Sequence, residues 1–303
     1  MNPPGSIFLD FNLPNAPTWF YFSLLLAVAL FFKFGRVLSM RNLDILGLYL
    51  MVPGMLLILE GSGERLGYAL LAGATGFWVF RCLLDLALVR RPALAPNLTP
   101  GGLSWLALAL FVSLCAVAAR EAGEQPAPDN KTPPVVQGVQ RQGEALVRQQ
   151  TQGQATEAST RLWVARTLAV LCHLAIVVGL VLAAGLHFQD LHAGLAAATF
   201  YLLLPYTYLL LPGTNLKIGQ WYHAWPMAML VWAVVAYRRP TLSGLLLGIA
   251  MGSVYFPALI LPVWASFYWR RGAGRFLLAA VLGCGLCLAF LAVVAWIRGG
   301  WPD

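Results

Sequence analysis

Charged side chains are scarce in this sequence of 303 residues. Only 11% of the residues are Asp, Glu, Lys or Arg, whereas a soluble globular domain carries about 25%. Hydrophobic residues make up 59%. The sequence also lacks the ten-residue alternation that is typical of an outer-membrane barrel. The composition therefore excludes an ordinary water-soluble domain and predicts a helical protein that is embedded in a lipid bilayer.

Acidic residues are fewer than basic ones, 12 against 20, which gives a formal net charge of +8. In a soluble protein this excess would suggest nucleic-acid binding. Here the basic residues lie mainly in short loops between apolar blocks, which is the pattern that orients a membrane protein. We therefore predict no nucleic-acid partner and interpret the charge as a topology signal and as contacts with anionic lipids.

Cysteines are few, and all five lie within apolar blocks. This placement argues against a disulfide framework. We interpret Cys284 and Cys287, a CxxC pair within a predicted span, as small buried helix residues. The polar N-terminal stretch has no basic region, so we expect no cleavable signal peptide of the usual form.

The apolar residues form about nine blocks of roughly 17 to 29 residues, long enough to cross a hydrocarbon core ~30 Å thick. Backbone polar groups in such a core must be satisfied locally, so the blocks are predicted to be helices. The fold class is therefore all-α, a polytopic transmembrane helix bundle. The predicted segments are 18–34, 43–60, 66–89, 102–119, 162–186, 191–212, 221–237, 241–269 and 276–297.

Basic residues follow the first, third and seventh blocks, and the positive-inside rule places these loops on the cytoplasmic side. This orientation puts the N-terminus outside. The predicted domains are a first bundle of four spans at 1–119, a polar Pro/Gln-rich linker at 120–161 and a second bundle at 162–303. The linker is predicted to be extracytoplasmic, with a helical second half.

The block 241–269 is ambiguous because arginines flank it on both sides. One straight helix would place one of these basic groups outside. Proline disfavours helical geometry in the residue before it, and Pro257 lies near the middle of the block. We therefore predict a hairpin of two short legs that turns near Tyr255–Pro257. A single kinked span is the alternative.

The first predicted outer loop contains the candidate catalytic residues Glu60 and Glu64, together with Arg65 as a candidate substrate contact. A carboxylate at a membrane interface can act as a general base. The glycines between the two carboxylates allow a close approach of the backbone to a ligand. The alternative interpretation is a tight solvated turn between two helices.

Lys217, Gln220 and His223 form the second group of candidate substrate-binding residues. Lysine is a compact charge that suits phosphate, and Gln220 and His223 share a face if a helix begins at Gly219. The surrounding Trp and Tyr residues suit a sugar ring, but aromatic residues at this depth are first of all membrane anchors. Both interpretations remain open.

A metal site is not predicted. His187, Asp190 and His192 lie close together in the sequence and are possible ligands. They lack a fourth ligand, because His223 is predicted to lie across the membrane. We interpret Asp190 as a charge at a helix N-terminus and the histidines as interfacial residues, and no cofactor is predicted.

Short apolar motifs follow in a recognisable order between Pro205 and Arg275. They are Gly219-Gln220, Arg238-Arg239-Pro240, the run 243–250, the run 255–262 and Trp269-Arg270-Arg271. This order resembles the second half of bacterial C-type glycosyltransferases, in particular the mannosyltransferase-like group. The resemblance implies a polyprenyl-phosphate-linked sugar as the donor, an essential carboxylate in an outer loop, and the bacterial cytoplasmic membrane as the location.

Two classes of function remain after these considerations. The first is a membrane glycosyltransferase, or a degenerate relative, in which Glu60 or Glu64 activates the acceptor and Lys217 holds the donor phosphate. The second is a noncatalytic scaffold, assembly subunit or small transporter. The convergence of Glu60 or Glu64 with Lys217 and Gln220 in one outer cavity would distinguish them.

Overall fold

The computed structural model describes residues 16–61, 63–87, 96–120, 133–150, 156–207 and 221–298. Every regular element in this part of the chain is helical, which confirms the predicted fold class. The helices are α1 (Ala16–Phe31), α2 (Met40–Glu60), α3 (Glu64–Ala87), α4 (Pro100–Arg120), α5 (Pro134–Gln150), α6 (Glu157–Ala183), α7 (Leu191–Leu203), α8 (Trp221–Val235), α9 (Pro240–Ser253), α10 (Leu261–Tyr268) and α11 (Ala273–Arg298).

Five helices are long and apolar enough to cross a membrane. The candidate spans are Met40–Ile58, Glu64–Leu84, Pro100–Ala119, Ser159–Phe188 and Ala273–Ile297. The other apolar helices are shorter; α9, for example, has 14 residues and is about 21 Å long at 1.5 Å per residue. These five helices identify the chain as an integral membrane protein. The predicted count of about nine membrane-embedded segments is not confirmed.

The chain divides into two compact units. The first comprises the described residues of Met1–Arg120 and Leu195–Gly219, and the second those of Glu121–Gly194 and Gln220–Asp303. The predicted domain boundaries at 119 and 162 follow chain order, whereas the two units follow packing. Those boundaries therefore stay a prediction.

Buried polar side chains join α2 to its neighbours in the first unit. Arg81 of α3 is 4% exposed and donates from Nε to Asp44 Oδ1 of α2 over 2.8 Å. The fully buried Asn42 accepts the Lys33 N–H at 2.8 Å and donates to the Val37 carbonyl at 3.0 Å. Asn42 therefore satisfies backbone groups of the α1–α2 loop that would otherwise lack partners at the end of a membrane helix.

The second half of the polar segment forms α5, as predicted, and α5 packs within the second unit. Val135 and Val136 are buried, and a Cβ on Gly138 would lie 2.8 Å from the Phe290 ring of α11. The Gln140 side chain accepts a hydrogen bond from Trp221 Nε1 at the start of α8, at 3.3 Å. The helix therefore covers the end of the unit at which α8 begins and α11 ends.

Two ion pairs join α5 to the start of α6. Arg148 Nη2 lies 2.5 Å from Glu157 Oε1, and Arg161 Nε lies 3.7 Å from Glu144 Oε1. The hydrogen bond from Arg148 holds the pKa of Glu157 below its usual value. Glu144 is buried, and Gln140 also donates to it at 3.3 Å. Both glutamates at this end of the unit are therefore paired with arginines.

The block 241–269 forms a hairpin, which confirms the preferred prediction. The helix α9 ends at Ser253, and the next residue, Val254, has extended φ and ψ angles of −145° and 138°. A 3-10 turn at Phe256–Ile260 then leads into α10. The Tyr268 hydroxyl at the end of α10 donates to the Tyr237 carbonyl just before α9. The two legs therefore begin and end at the same end of the unit, where the flanking arginines also lie.

Glycines allow α9 to approach α11 closely. A Cβ on Gly244 would lie 2.2 Å from the Phe276 carbonyl oxygen, and one on Gly248 would lie 2.2 Å from that of Ala280. On the α11 side, a Cβ on Gly283 would lie 2.6 Å from the Leu245 carbonyl oxygen. Close contact between backbones is the usual basis of helix association in membranes. We call this contact the α9–α11 interface.

We predict that Gly248→Ala destabilises the protein, because the new methyl group has no space between the two backbones and overpacking costs about 1–3 kcal/mol. Gly285→Ala is the matched control, since nothing lies within 4 Å of a Cβ at that position of α11. That substitution should be neutral or stabilising by up to about 1 kcal/mol. Thermal unfolding in detergent measures both, and equal transition temperatures would contradict the assigned packing.

We also predict that α5 and the Arg238–Arg239 turn lie on opposite sides of the membrane. In a cysteine-free background, Leu146→Cys offers an accessible position on α5, because Leu146 is 61% exposed, whereas Gln140 is only 8% exposed. A membrane-impermeant thiol reagent should label position 146 in intact cells. It should label Arg238→Cys only after permeabilisation. The reverse result would invert the topology.

Candidate functional site

The first predicted outer loop is a tight turn between α2 and α3. Gly61 has a φ of +67°, and its N–H donates to the Ile58 carbonyl at 3.2 Å, so it ends α2 in a left-handed conformation that favours glycine. Glu64 and Arg65 are exposed in the first turn of α3. Glu60 is the last residue of α2, and its side chain lies outside the described part. Glu64 and Arg65 are therefore accessible to a ligand.

Lys217 and Gln220 lie outside the described residues, so their predicted convergence with Glu60 or Glu64 stays a prediction. His223 is exposed in the first turn of α8, and its ring lies 4.5 Å from that of Tyr222. The interpretation of the neighbouring Trp221 as a membrane anchor is wrong. Trp221 is only 3% exposed, and its indole N–H donates a hydrogen bond to Gln140 within the second unit.

The cluster of His187, Asp190 and His192 has other roles in the structure. Asp190 Oδ1 accepts the Ala193 N–H at 2.9 Å, which is the predicted role of a charge at a helix N-terminus. His187 contacts the Val235 carbonyl through Nε2 at 2.9 Å. Within the described residues, no group of three or more His, Cys, Asp or Glu side chains could hold a metal ion.

A crevice of about 640 Å³ lies in the second unit, between α6, the end of α8 and the start of α9. It is at the opposite end of α8 from α5. Most of its lining is apolar, and the polar side chains on its wall are His187, Arg238 and Arg239. The apolar lining residues are Ala175, Leu186, Met229, Trp232, Val235, Ala236, Leu242 and Leu246.

A π-helical turn at Ala184–Phe188 brings His187 to the wall of the crevice. Such turns insert one extra residue into a helix and are frequent at functional sites. A carbonyl oxygen can only accept a hydrogen bond, so the contact with Val235 means that His187 carries a proton on Nε2. The same hydrogen bond satisfies the Val235 carbonyl, which has no partner within the helix because it lies at the end of α8. The Tyr237 ring packs edge-on against the imidazole, with 4.4 Å between centroids. The histidine ring is therefore held in a fixed orientation.

Positive charge is concentrated where the crevice meets the start of α9. Arg238 and Arg239 are exposed, and neither forms an ion pair with a residue that the structure describes. Arg239 precedes the first turn of α9, and no side chain caps that turn. The N-terminus of a helix attracts anions through its free N–H groups and its dipole. An anion at this position would meet both guanidinium groups and the helix end.

Sequence reasoning missed this crevice, although it singled out several of its residues. From the sequence alone, Arg238 and Arg239 indicate topology, and His187 is expected to be an interfacial residue. The π-helical turn leaves no readable periodicity in the sequence, and a cavity depends on the packing of three helices. The one available signal was a histidine after one apolar block and two arginines after another.

The comparisons with known proteins give no relative. No protein-family model, no curated protein and no solved structure matches the chain. The resemblance to C-type glycosyltransferases therefore stays a prediction from short motifs, and the chain is assigned to no family.

Proposed function

We propose that this integral membrane protein binds an anionic lipid in the crevice of the second unit. The alkyl chain of the lipid would occupy the apolar part, and its phosphate would contact Arg238 and Arg239. The observation that carries the proposal is an apolar crevice of about 640 Å³ that opens beside two arginines without ion pairs to the described residues.

The chemistry of the wall favours a lipid over a soluble anion. A soluble anion would gain nothing from the eight apolar residues that line most of the crevice. An alkyl chain gains little by leaving the bilayer for an apolar wall, since both are equally free of water. The chain would therefore position the lipid, and the affinity would come from hydrogen bonds between guanidinium groups and phosphate. Such charge-assisted bonds are the strong ones, and arginine binds phosphate through two N–H groups at once.

We predict that Arg238→Gln and Arg239→Gln each weaken the binding of dodecyl phosphate by the purified protein by roughly 10- to 150-fold, since a hydrogen bond to a charged group contributes about 1.5–3 kcal/mol. Leu246→Trp should weaken it as well, because the larger side chain fills the crevice. The matched control is Leu288→Trp, at an exposed position of α11, which should bind normally.

Binding would be measured in phosphatidylcholine nanodiscs by calorimetry. Unchanged affinity in both arginine variants would show that the crevice does not recognise phosphate. An equal loss in Leu246→Trp and Leu288→Trp would point to a general effect of tryptophan and remove the support for the crevice.

The sequence resemblance supports a second and finer proposal, in which the protein transfers a sugar from a polyprenyl-phosphate donor at the outer face. Glu60 or Glu64 would be the general base, and Lys217, Gln220, His223 and Arg65 would contact the substrate. The exposure of Glu64, Arg65 and His223 is compatible with this role. The alternative is a noncatalytic scaffold, assembly subunit or small transporter.

Charge at position 217 tests the finer proposal. Lys217→Met keeps much of the side-chain stem and removes the ammonium, so it should lose about 1.5–3 kcal/mol of affinity for a polyprenyl-phosphate-linked sugar. Lys217→Arg should retain most of the affinity. Equal binding by the wild type and Lys217→Met would leave this stretch as a membrane anchor and would remove most of the support for glycosyl transfer.

A further inference from the structure

We propose that the lipid recognised by the second unit carries two linked phosphate groups, so that the ligand is a lipid diphosphate rather than a lipid monophosphate. This inference rests on the lipid binding proposed above. It follows from a second group of arginines beside the crevice. We call the two groups together the basic end; it comprises Arg238, Arg239, Arg270, Arg271 and Arg275.

The loop that carries the second group lies directly against the loop that carries the first. The Tyr268 hydroxyl, two residues before Arg270, donates to the carbonyl of Tyr237, which precedes Arg238. The α10–α11 turn is closed by Gly272, whose φ is +108°, and a Cβ on Gly272 would lie 3.5 Å from Pro240. The return of the α9–α10 hairpin therefore places both arginine groups at one site.

Aromatic rings hold one guanidinium from each group. The Arg238 Cζ lies 5.8 Å from the centroid of the Tyr237 ring, and the Arg271 Cζ lies 5.6 Å from that of the Phe267 ring. The two rings are themselves 6.1 Å apart. Arg238 Nε also donates to the Tyr237 hydroxyl at 3.4 Å, and the two terminal nitrogens of this guanidinium remain as donors for phosphate oxygens. The two arginines are therefore positioned over neighbouring rings with donors available for a ligand.

The basic end has more positive charge than one phosphate neutralises. All five arginines are exposed, and none forms an ion pair with any residue of the described ranges. The loops 236–239 and 269–272 contain no acidic residue. A phosphate monoester carries roughly −1.5 to −2 charges at pH 7, which matches Arg238 and Arg239 alone. A second phosphate linked to the first would add negative charge beside the other group and reduce the remaining repulsion.

A soluble diphosphate would find the same charges but would leave the crevice unused. The acidic residue nearest to His187 in the sequence is Asp190, which is engaged by the Ala193 N–H. Within the described residues Asp190 forms no ion pair with these arginines. The adjoining apolar crevice is the reason to assign the diphosphate to a lipid.

The test compares dodecyl diphosphate, dodecyl monophosphate and inorganic pyrophosphate as ligands of the purified full chain in phosphatidylcholine nanodiscs. The wild type should bind the diphosphate at least about tenfold more tightly than the monophosphate. Arg271→Gln should weaken diphosphate binding by about tenfold and monophosphate binding by less than about twofold. Arg238→Gln should weaken both. Inorganic pyrophosphate should bind far more weakly than dodecyl diphosphate.

The matched control is Arg141→Gln, which removes the same charge from α5 at the opposite end of the unit. It should change no affinity. Equal affinity of the wild type for both lipids, or an equal effect of Arg271→Gln on both, would overturn the diphosphate inference and leave the proposed lipid binding intact. Pyrophosphate binding as tight as that of dodecyl diphosphate would overturn the assignment to a lipid. Binding of neither lipid would overturn the proposed function itself.

Discussion

The second unit depends on the close contact of backbones at the α9–α11 interface. Gly244 and Gly248 of α9 lie against carbonyl groups of α11 with no space for a side chain. A leg of 14 residues is too short to cross a hydrocarbon core ~30 Å thick, so the chain turns back after α9. The close packing of α9 against α11 holds this short leg within the bundle.

The hairpin in turn determines where the arginines lie. Because α10 returns to the end at which α9 begins, the Tyr268 hydroxyl can reach the Tyr237 carbonyl, and the two arginine loops become neighbours. The same residue, Tyr237, packs its ring against His187 on the wall of the crevice. The basic end and the crevice wall therefore both depend on the hairpin, and the hairpin depends on the glycine contacts of the α9–α11 interface.

The sequence was sufficient for the features that depend on composition and on local chemistry. The scarcity of charge predicts the all-helical membrane fold, and arginines on both sides of 241–269 together with Pro257 predict the hairpin.

Trp221 is an example that the sequence does not predict. Its indole is bonded to Gln140, 81 positions earlier in the chain, and no local pattern distinguishes this buried tryptophan from one that anchors a helix at the interface. The crevice likewise requires three packed helices and a π-helical turn. The count of about nine segments is not confirmed, because four apolar helices in the described part of the chain have only 10 to 17 residues: Pro17–Phe31, Leu191–Leu203, Pro240–Ser253 and Phe256–Tyr268.

The two ends of the second unit differ in how their charges are satisfied, and this difference separates stability from function. At the α5 end, Glu144 and Glu157 pair with Arg161 and Arg148, so these four charges balance within the protein. At the basic end, five exposed arginines have no acidic partner among the described residues.

Like charges that are held close together destabilise a fold unless counter-ions or a ligand reduce their repulsion. A topology signal would need only that the residues be basic and near the membrane, and flexible lysines would serve equally well. In this protein, two guanidinium groups lie over neighbouring aromatic rings beside a crevice with an apolar wall. This arrangement is more specific than topology requires. It is the physical reason to assign a ligand to this end.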